Sequence, residues 1–188
     1  MAAMVTIPPV VKVARVPVTV VDPSRIDVAA DGFVRNGSSA GTAYGNAAAL
    51  EVRNNPGLNS GYDRITYLRF DPKIVPESIQ SATLQVYGGI ADGSTTPTVN
   101  GVYATGTGWT ESALTWNSRP ALGEQLGAMT LDNTPGWRTV DVTEYVRAQL
   151  ANGEPIGLAI ASTVPAYGPF TTFNSKEAAS NPPYLHLT

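Results

Sequence analysis

The sequence predicts a single all-β domain of sandwich type, with one short helix and an extended N-terminal arm. Three observations carry this reading. Short runs alternate apolar and polar residues with a period of two, and turn formers separate the runs. Charged residues make up 14% of the 188-residue chain, well below the usual quarter or so. Gly (18) and Pro (15) are frequent. Surface helices carry Glu, Lys and Arg on a wet face, so this composition argues for many short strands. Hydrophobic residues reach 43%, enough to build a core in a chain of this length.

Residues 1–25 read as the extended arm. Val16, Val18 and Val20 alternate with Pro17 and Thr19, which suits an edge strand, where a missing N–H is tolerated. Pro8-Pro9 stiffens the start toward a polyproline-like path. The sandwich module is expected over 26–188. Leu50 and Val52 share one face opposite Glu51 and Arg53. In 63–70, Thr66, Leu68 and Phe70 oppose Ile65, Tyr67 and Arg69. In 79–87, Ala82, Leu84 and Val86 oppose Thr83, Gln85 and Tyr87. The helix follows Val140: Asp141 or Thr143 caps it, Val146 and Leu150 sit four apart, and Asn152-Gly153 stops it. Ile156, Leu158 and Ile160 point one way from a further strand, and Tyr184–Leu187 closes the chain. A short turn is expected at Thr110–Ala113.

Several function classes are disfavoured. The net charge is −3 with no basic block, so nucleic acid and anionic membranes have no electrostatic footprint. Cys is absent, which removes disulfides, thiol catalysis and Cys-based zinc sites. The apolar run Met4–Val21 is broken by Pro8, Pro9, Lys12, Arg15 and Pro17, so neither a membrane span nor a signal peptide is expected there. Gly37-Ser38-Ser39-Ala40-Gly41 matches the G-x-S-x-G pattern. That motif needs a strand, a sharp elbow and a helix, and here a Ser/Gly/Ala-rich loop is the better reading. His186 is the single histidine, and its alternation with Leu185 and Leu187 marks a strand residue. No catalytic residues are assigned, and an enzyme is not expected.

Two kinds of binding residue stand out. Arg35, Arg53, Tyr67, Arg69 and Lys176 are read as one outward sheet face that binds an acidic polysaccharide. Guanidinium groups suit bidentate carboxylate contacts, and Tyr adds stacking. Asp31 and Glu177 are the first candidates for a structural calcium site, because hard oxygen donors commonly staple long loops. Trp109 and Trp116 bracket a six-residue segment. They are read as pins that fold a loop over the sandwich, in preference to a sugar platform.

Seven segments, in order, resemble a known family. They are Ala30–Gly37 (ADGFVRNG), Leu50–Asn54 (LEVRN), Tyr62–Asp71 (YDRITYLRFD), Ile79–Leu84 (IQSATL), Gly108–Asn117 (GWTESALTWN), Val140–Val146 (VDVTEYV) and Thr172–Ala179 (TFNSKEAA). They resemble the DNRLRE-type domain, which includes carbohydrate-binding module family 96, over about 26–188. The resemblance implies a jelly-roll β-sandwich, often attached to secreted polysaccharide-degrading enzymes, with alginate-like acidic glycans as ligands and no catalysis by the module. The arm lies outside the resemblance. Its valines form an apolar strip suited to pairing with a neighbouring subunit. The expectation is therefore a carbohydrate-binding-type module displayed on a larger assembly, such as a phage virion, through residues 1–21, in a virion or extracellular setting. The alternatives are an accessory module of a secreted lyase or hydrolase, and a structural subunit of a cell-surface filament.

Overall fold

Leu84 and Val86 turn inward from one strand, and Leu158 and Ile160 from another, all with no accessible surface. Such facing rows draw two antiparallel sheets together and remove their apolar area from water. The computed structural model describes Met1 and residues 22–55, 61–72, 78–165 and 167–188. The expected edge strand at Val16–Val20, and with it nearly all of the arm, lies outside the described residues.

The elements run β1 (Arg25–Asp27), β2 (Ala30–Arg35), β3 (Ala49–Val52), β4 (Arg64–Phe70), β5 (Ala82–Ile90), β6 (Thr98–Thr105), β7 (Leu122–Leu131), β8 (Gly136–Asp141), α1 (Thr143–Ala151), β9 (Ile156–Ser162), β10 (Thr171–Asn174) and β11 (Tyr184–Leu187). One sheet has the order β1-β11-β5-β10-β3, with β8 also paired to β5. Because β8 and β11 pair with overlapping stretches of β5, they lie on its opposite sides. The second sheet has the order β2-β4-β9-β6-β7. The strand pairs are antiparallel, and the fold is the expected all-β sandwich with one short helix.

The period-two runs behave as read. Leu50 and Val52, Leu68 and Phe70, and Leu84 and Val86 all enter the central core with Phe173 and Leu185. Six strands, β1, β2, β6, β7, β8 and β10, lie outside the runs that alternation marked. β6 buries Thr98 and Asn100 on its inward side, and β7 is an exposed edge with register shifts opposite Val102–Thr105. Trp137, Thr139 and Asp141 of β8 point outward into solvent. Asn100 is a polar residue inside the core, and its amide donates to Thr171 Oγ1 at 2.8 Å across the two sheets. A buried polar group needs such a partner.

Helix α1 starts differently from expectation. Val142 occupies the N-cap position without a side-chain cap. Asp141 Oδ1 instead accepts from the Thr143 backbone N–H at 2.8 Å and from the Thr143 hydroxyl at 2.6 Å. The C-terminus matches the sequence reading. Gly153 has φ +69, its N–H reaches Leu150 O at 3.1 Å, and Glu154 N–H reaches Gln149 O at 3.0 Å. This paired closure is the Schellman motif, and its left-handed residue favours Gly. Among the described residues no helix is long and apolar enough to cross a membrane.

Candidate functional site

The outward face of β4 carries Ile65, Tyr67 and Arg69, and the loop between β6 and β7 covers it. Small residues on the outer side of β9 permit the approach. A Cβ on Gly157 would lie 2.3 Å from Thr105 O, and Ala159 is fully buried. Trp109 packs there with Tyr67, Leu114 and Ala159, and Trp116 lies against the same cluster. The expected turn forms, with Ala113 and Leu114 N–H both bonded to Thr110 O. The loop is thus pinned to the sandwich, as its tryptophan pair suggested.

This cover decides where several expected ligand residues sit. Tyr67 is fully buried. Its hydroxyl donates to Pro120 O at 2.9 Å, and burial pushes its pKa up to about 12. It offers no ring face to a sugar. Arg69 forks onto Asp71, with both bonds at 3.1 Å, and donates to Trp109 O at 2.7 Å. Lys176 pairs with Glu177 and with Glu111. The five residues therefore do not share one open face.

Arg35 and Arg53 do converge, and they bring Arg64 with them. Arg35 is opposite Arg64 in the β2–β4 register, and Arg53 forms an isolated bridge with Arg64. Arg35 Nε donates to Gly61 O. The Arg53 guanidinium lies 5.5 Å from the centre of the exposed Tyr62 ring. Arg64 contacts Glu51 at 3.2 Å and lies over Phe170. Burial first, and then the positive Arg35 and Arg53, hold the Arg64 guanidinium below its ordinary range against the opposing pull of Glu51. Arg64 was not among the candidate residues; it is buried, in phase with the inward Thr66 and Leu68 of β4.

The other sheet has an open outward face. Tyr87 on β5 is opposite Trp137 on β8, with ring centres 5.6 Å apart and nearly perpendicular. Trp137 meets Tyr184 of β11 in the same way at 5.5 Å. Arg25 of β1 lies 3.9 Å over the Tyr184 ring and pairs with Asp27. Trp137 is 42% exposed, unusual for the largest apolar side chain on a regular strand. Gln85, Thr139 and the exposed His186 flank the row, and Thr139 donates to Gln85 Oε1 at 2.8 Å. Alternation already marked Tyr87 as outward, but Trp137 lay in a strand the sequence did not reveal.

A third locus gathers carboxylates. Asp31 and Glu177, paired from sequence, meet in space and are joined by Glu111. One carboxylate oxygen from each lies within 4.8 Å of the other two. Asp31 is fully buried. Its Oδ2 accepts from Lys176 N–H at 2.7 Å, and its N–H donates to Glu111 Oε1 at 3.0 Å. Burial raises the Asp31 carboxyl to about 7. Burial also opposes ionisation of Glu177, but the Lys176 hydrogen bond and charge outweigh it and lower that group. Glu111 was one scattered carboxylate in the sequence, and only the covering loop carries it to Asp31.

Ser39, in the G-x-S-x-G match, lies on a 3₁₀ turn, Gly37–Ser39, and the next regular element is strand β3. The strand–elbow–helix setting of a hydrolase nucleophile does not form around it.

Comparison with known proteins agrees with this architecture. Part of the chain is similar to a gellan lyase from Bacillus sp, at 37% identity over 87 residues, covering 42% of this chain. The match takes in 3% of the lyase's own length, so the chain corresponds to a small part of a far larger protein. The model of carbohydrate-binding module family 96 matches residues 22–188, a span that takes in every described strand, the pinned loop and the helix, and the chain belongs to that family.

Proposed function

We propose that the chain is a non-catalytic module that holds an acidic polysaccharide on the open face of its β1-containing sheet. The observation that carries this is the row Tyr87–Trp137–Tyr184 with Arg25 at its end. Aromatic rings offer broad apolar contact to the C–H faces of pyranose units at low entropic cost. The flanking Gln85, Thr139 and His186 supply hydrogen bonds that orient the chain of sugars. Arg25 supplies a carboxylate partner at the row's edge.

A second contact is favoured by the Arg35, Arg53 and Arg64 convergence beside Tyr62. Three guanidinium groups outnumber the neighbouring Glu51 and Asp63, which suits a further uronate. The gellan lyase match favours an accessory module of an extracellular polysaccharide-processing protein. The assembly-display reading drew on residues 1–21, and no described residue favours it.

Affinity electrophoresis in acidic and neutral polysaccharide gels tests the proposal. The wild-type chain should be retarded more by the acidic polymer, and added salt should weaken the effect by screening. Trp137→Ala should abolish most retardation with the melting temperature nearly unchanged, because Trp137 is outside the core. Unaltered retardation of Trp137→Ala, with loss in Arg53→Ala, would move the site to the arginine cluster. Polymer cleavage by the wild-type chain would overturn the non-catalytic reading.

A further inference from the structure

The Asp31–Glu111–Glu177 cluster has more negative charge than its one cation compensates. Lys176 Nζ contacts Glu111 Oε1 at 3.0 Å and also Glu177 Oε1. The Asp31 carboxylate instead accepts from the Lys176 backbone N–H at 2.7 Å. Asp31 Oδ1 is buried with no hydrogen-bond partner, and so is Glu177 Oε2. An anionic oxygen removed from water without a partner is costly. Asp31 lies in β2 and Glu177 follows β10, and their carboxylates come within 4.8 Å of each other and of Glu111.

We propose that Asp31, Glu111 and Glu177 form a structural Ca²⁺ site that ties β2, the paired-tryptophan loop and the segment after β10 together. The spacing fits the ion. Oxygens bound to one Ca²⁺ at about 2.3–2.6 Å lie at most about 5 Å apart, and the three ligand atoms fall within 4.8 Å of one another. All three donors are hard carboxylate oxygens, with no imidazole or thiolate to favour a softer metal.

Local packing sets the donors in place. A Cβ on Gly45 would come within 2.4 Å of Glu111 Cβ and 2.7 Å of Glu111 O. A Cβ on Gly32 would meet Gly45 Cα at 3.2 Å. Two glycines thus let the 41–47 loop press Glu111 against β2 beside Asp31. Glu111 also lines an open depression of about 450 Å³ with Tyr44, Gly45, Asn46 and Ser112. The ion would join β2 of one sheet to the end of β10 in the other, so binding should stabilise the sandwich as a whole.

Calorimetric titration of the EDTA-treated full chain with CaCl2, paired with thermal melts, tests this inference independently of glycan binding. One Ca²⁺ should bind per chain. At a hundredfold excess over Kd the melting temperature should rise by about 5–10 °C. Glu177→Gln should weaken binding at least about tenfold, and Lys176→Met, which removes the competing ammonium, should strengthen it by a similar factor. MgCl2 should bind at least about tenfold more weakly, because Mg²⁺ demands a tighter octahedral shell. No heat and no melting shift in either the wild type or Lys176→Met would overturn the site. Undiminished affinity in Glu177→Gln would overturn the ligand set, and equal Mg²⁺ affinity would overturn the assignment to calcium.

Discussion

Tyr67 and Trp137 are both aromatic residues on outward strand positions, yet they have opposite surroundings. Tyr67 lies under the loop and is fully buried, whereas Trp137 is 42% exposed. A Tyr67→Phe change should therefore leave glycan retardation intact. It should cost about 1 kcal/mol in a denaturant melt, because Pro120 O loses its hydrogen bond. Tyr67 also gives the protein an alkaline limit. Its folded pKa of about 12 exceeds the ordinary value of about 10 for an unfolded chain. Between those values the folded state holds a proton that the unfolded state releases. Stability is therefore complete below pH 10 and falls as pH rises toward 12, by up to about 2–3 kcal/mol. Melts from pH 9 to 12 should show this slope in the wild type and a shallower one in Tyr67→Phe.

Helix α1 depends on features of its two ends more than on its own propensity. Its single fully buried side chain is Val146, and at nine residues it is too short to persist alone. At the start, Asp141 accepts two bonds from Thr143, and these bonds lower its pKa. At the end, Gly153 supplies the left-handed turn. Asp141→Ala should cost about 1 kcal/mol at pH 7. A lowered folded pKa contributes stability above the unfolded value of about 4, and that contribution is lost as pH falls through the folded value. The gap between wild type and Asp141→Ala should therefore narrow as melts are taken from pH 5 to pH 2. Gly153→Ala should cost about 1 kcal/mol at all these pH values, because its origin is backbone strain. The helix stop was legible in Asn152-Gly153, but the start was legible only in part. A side chain's acceptor reach is set by the angle at which β8 enters the helix.

For the whole molecule, the core decides stability, and the uncovered sheet carries the proposed glycan face. Leu158 is fully buried in the central cluster, so Leu158→Ala should cost about 2–5 kcal/mol. In a chain of this size that corresponds to a drop of roughly 5–15 °C in one calorimetric transition. By contrast, Trp137→Ala should change glycan retention and hardly move that transition. Much of the fold was written locally. Period-two alternation in 50–52, 63–70 and 82–87, the Asn152-Gly153 stop and the closing run Tyr184–Leu187 each state which face is buried, because successive strand side chains point to opposite sides. Seven ordered segments also marked the family. Local pattern could not reveal β6, with Asn100 in its core face, because the partner of that residue's amide N–H, Thr171, comes from the other sheet. Nor could it tell the open face from the covered one. Alternation shows that Tyr67, Arg69 and Tyr87 point away from the core, but it carries no information about a second layer above them. Here the pinned Trp109 loop covers one outer face and leaves the other to Trp137. The same loop brings Glu111 to Asp31 and Glu177. The sequence by itself determined the sandwich, its inward faces and two of the three clustered carboxylates. Only the tertiary structure decided which surface is open and which charges meet, because contacts between distant segments depend on packing that no local period encodes.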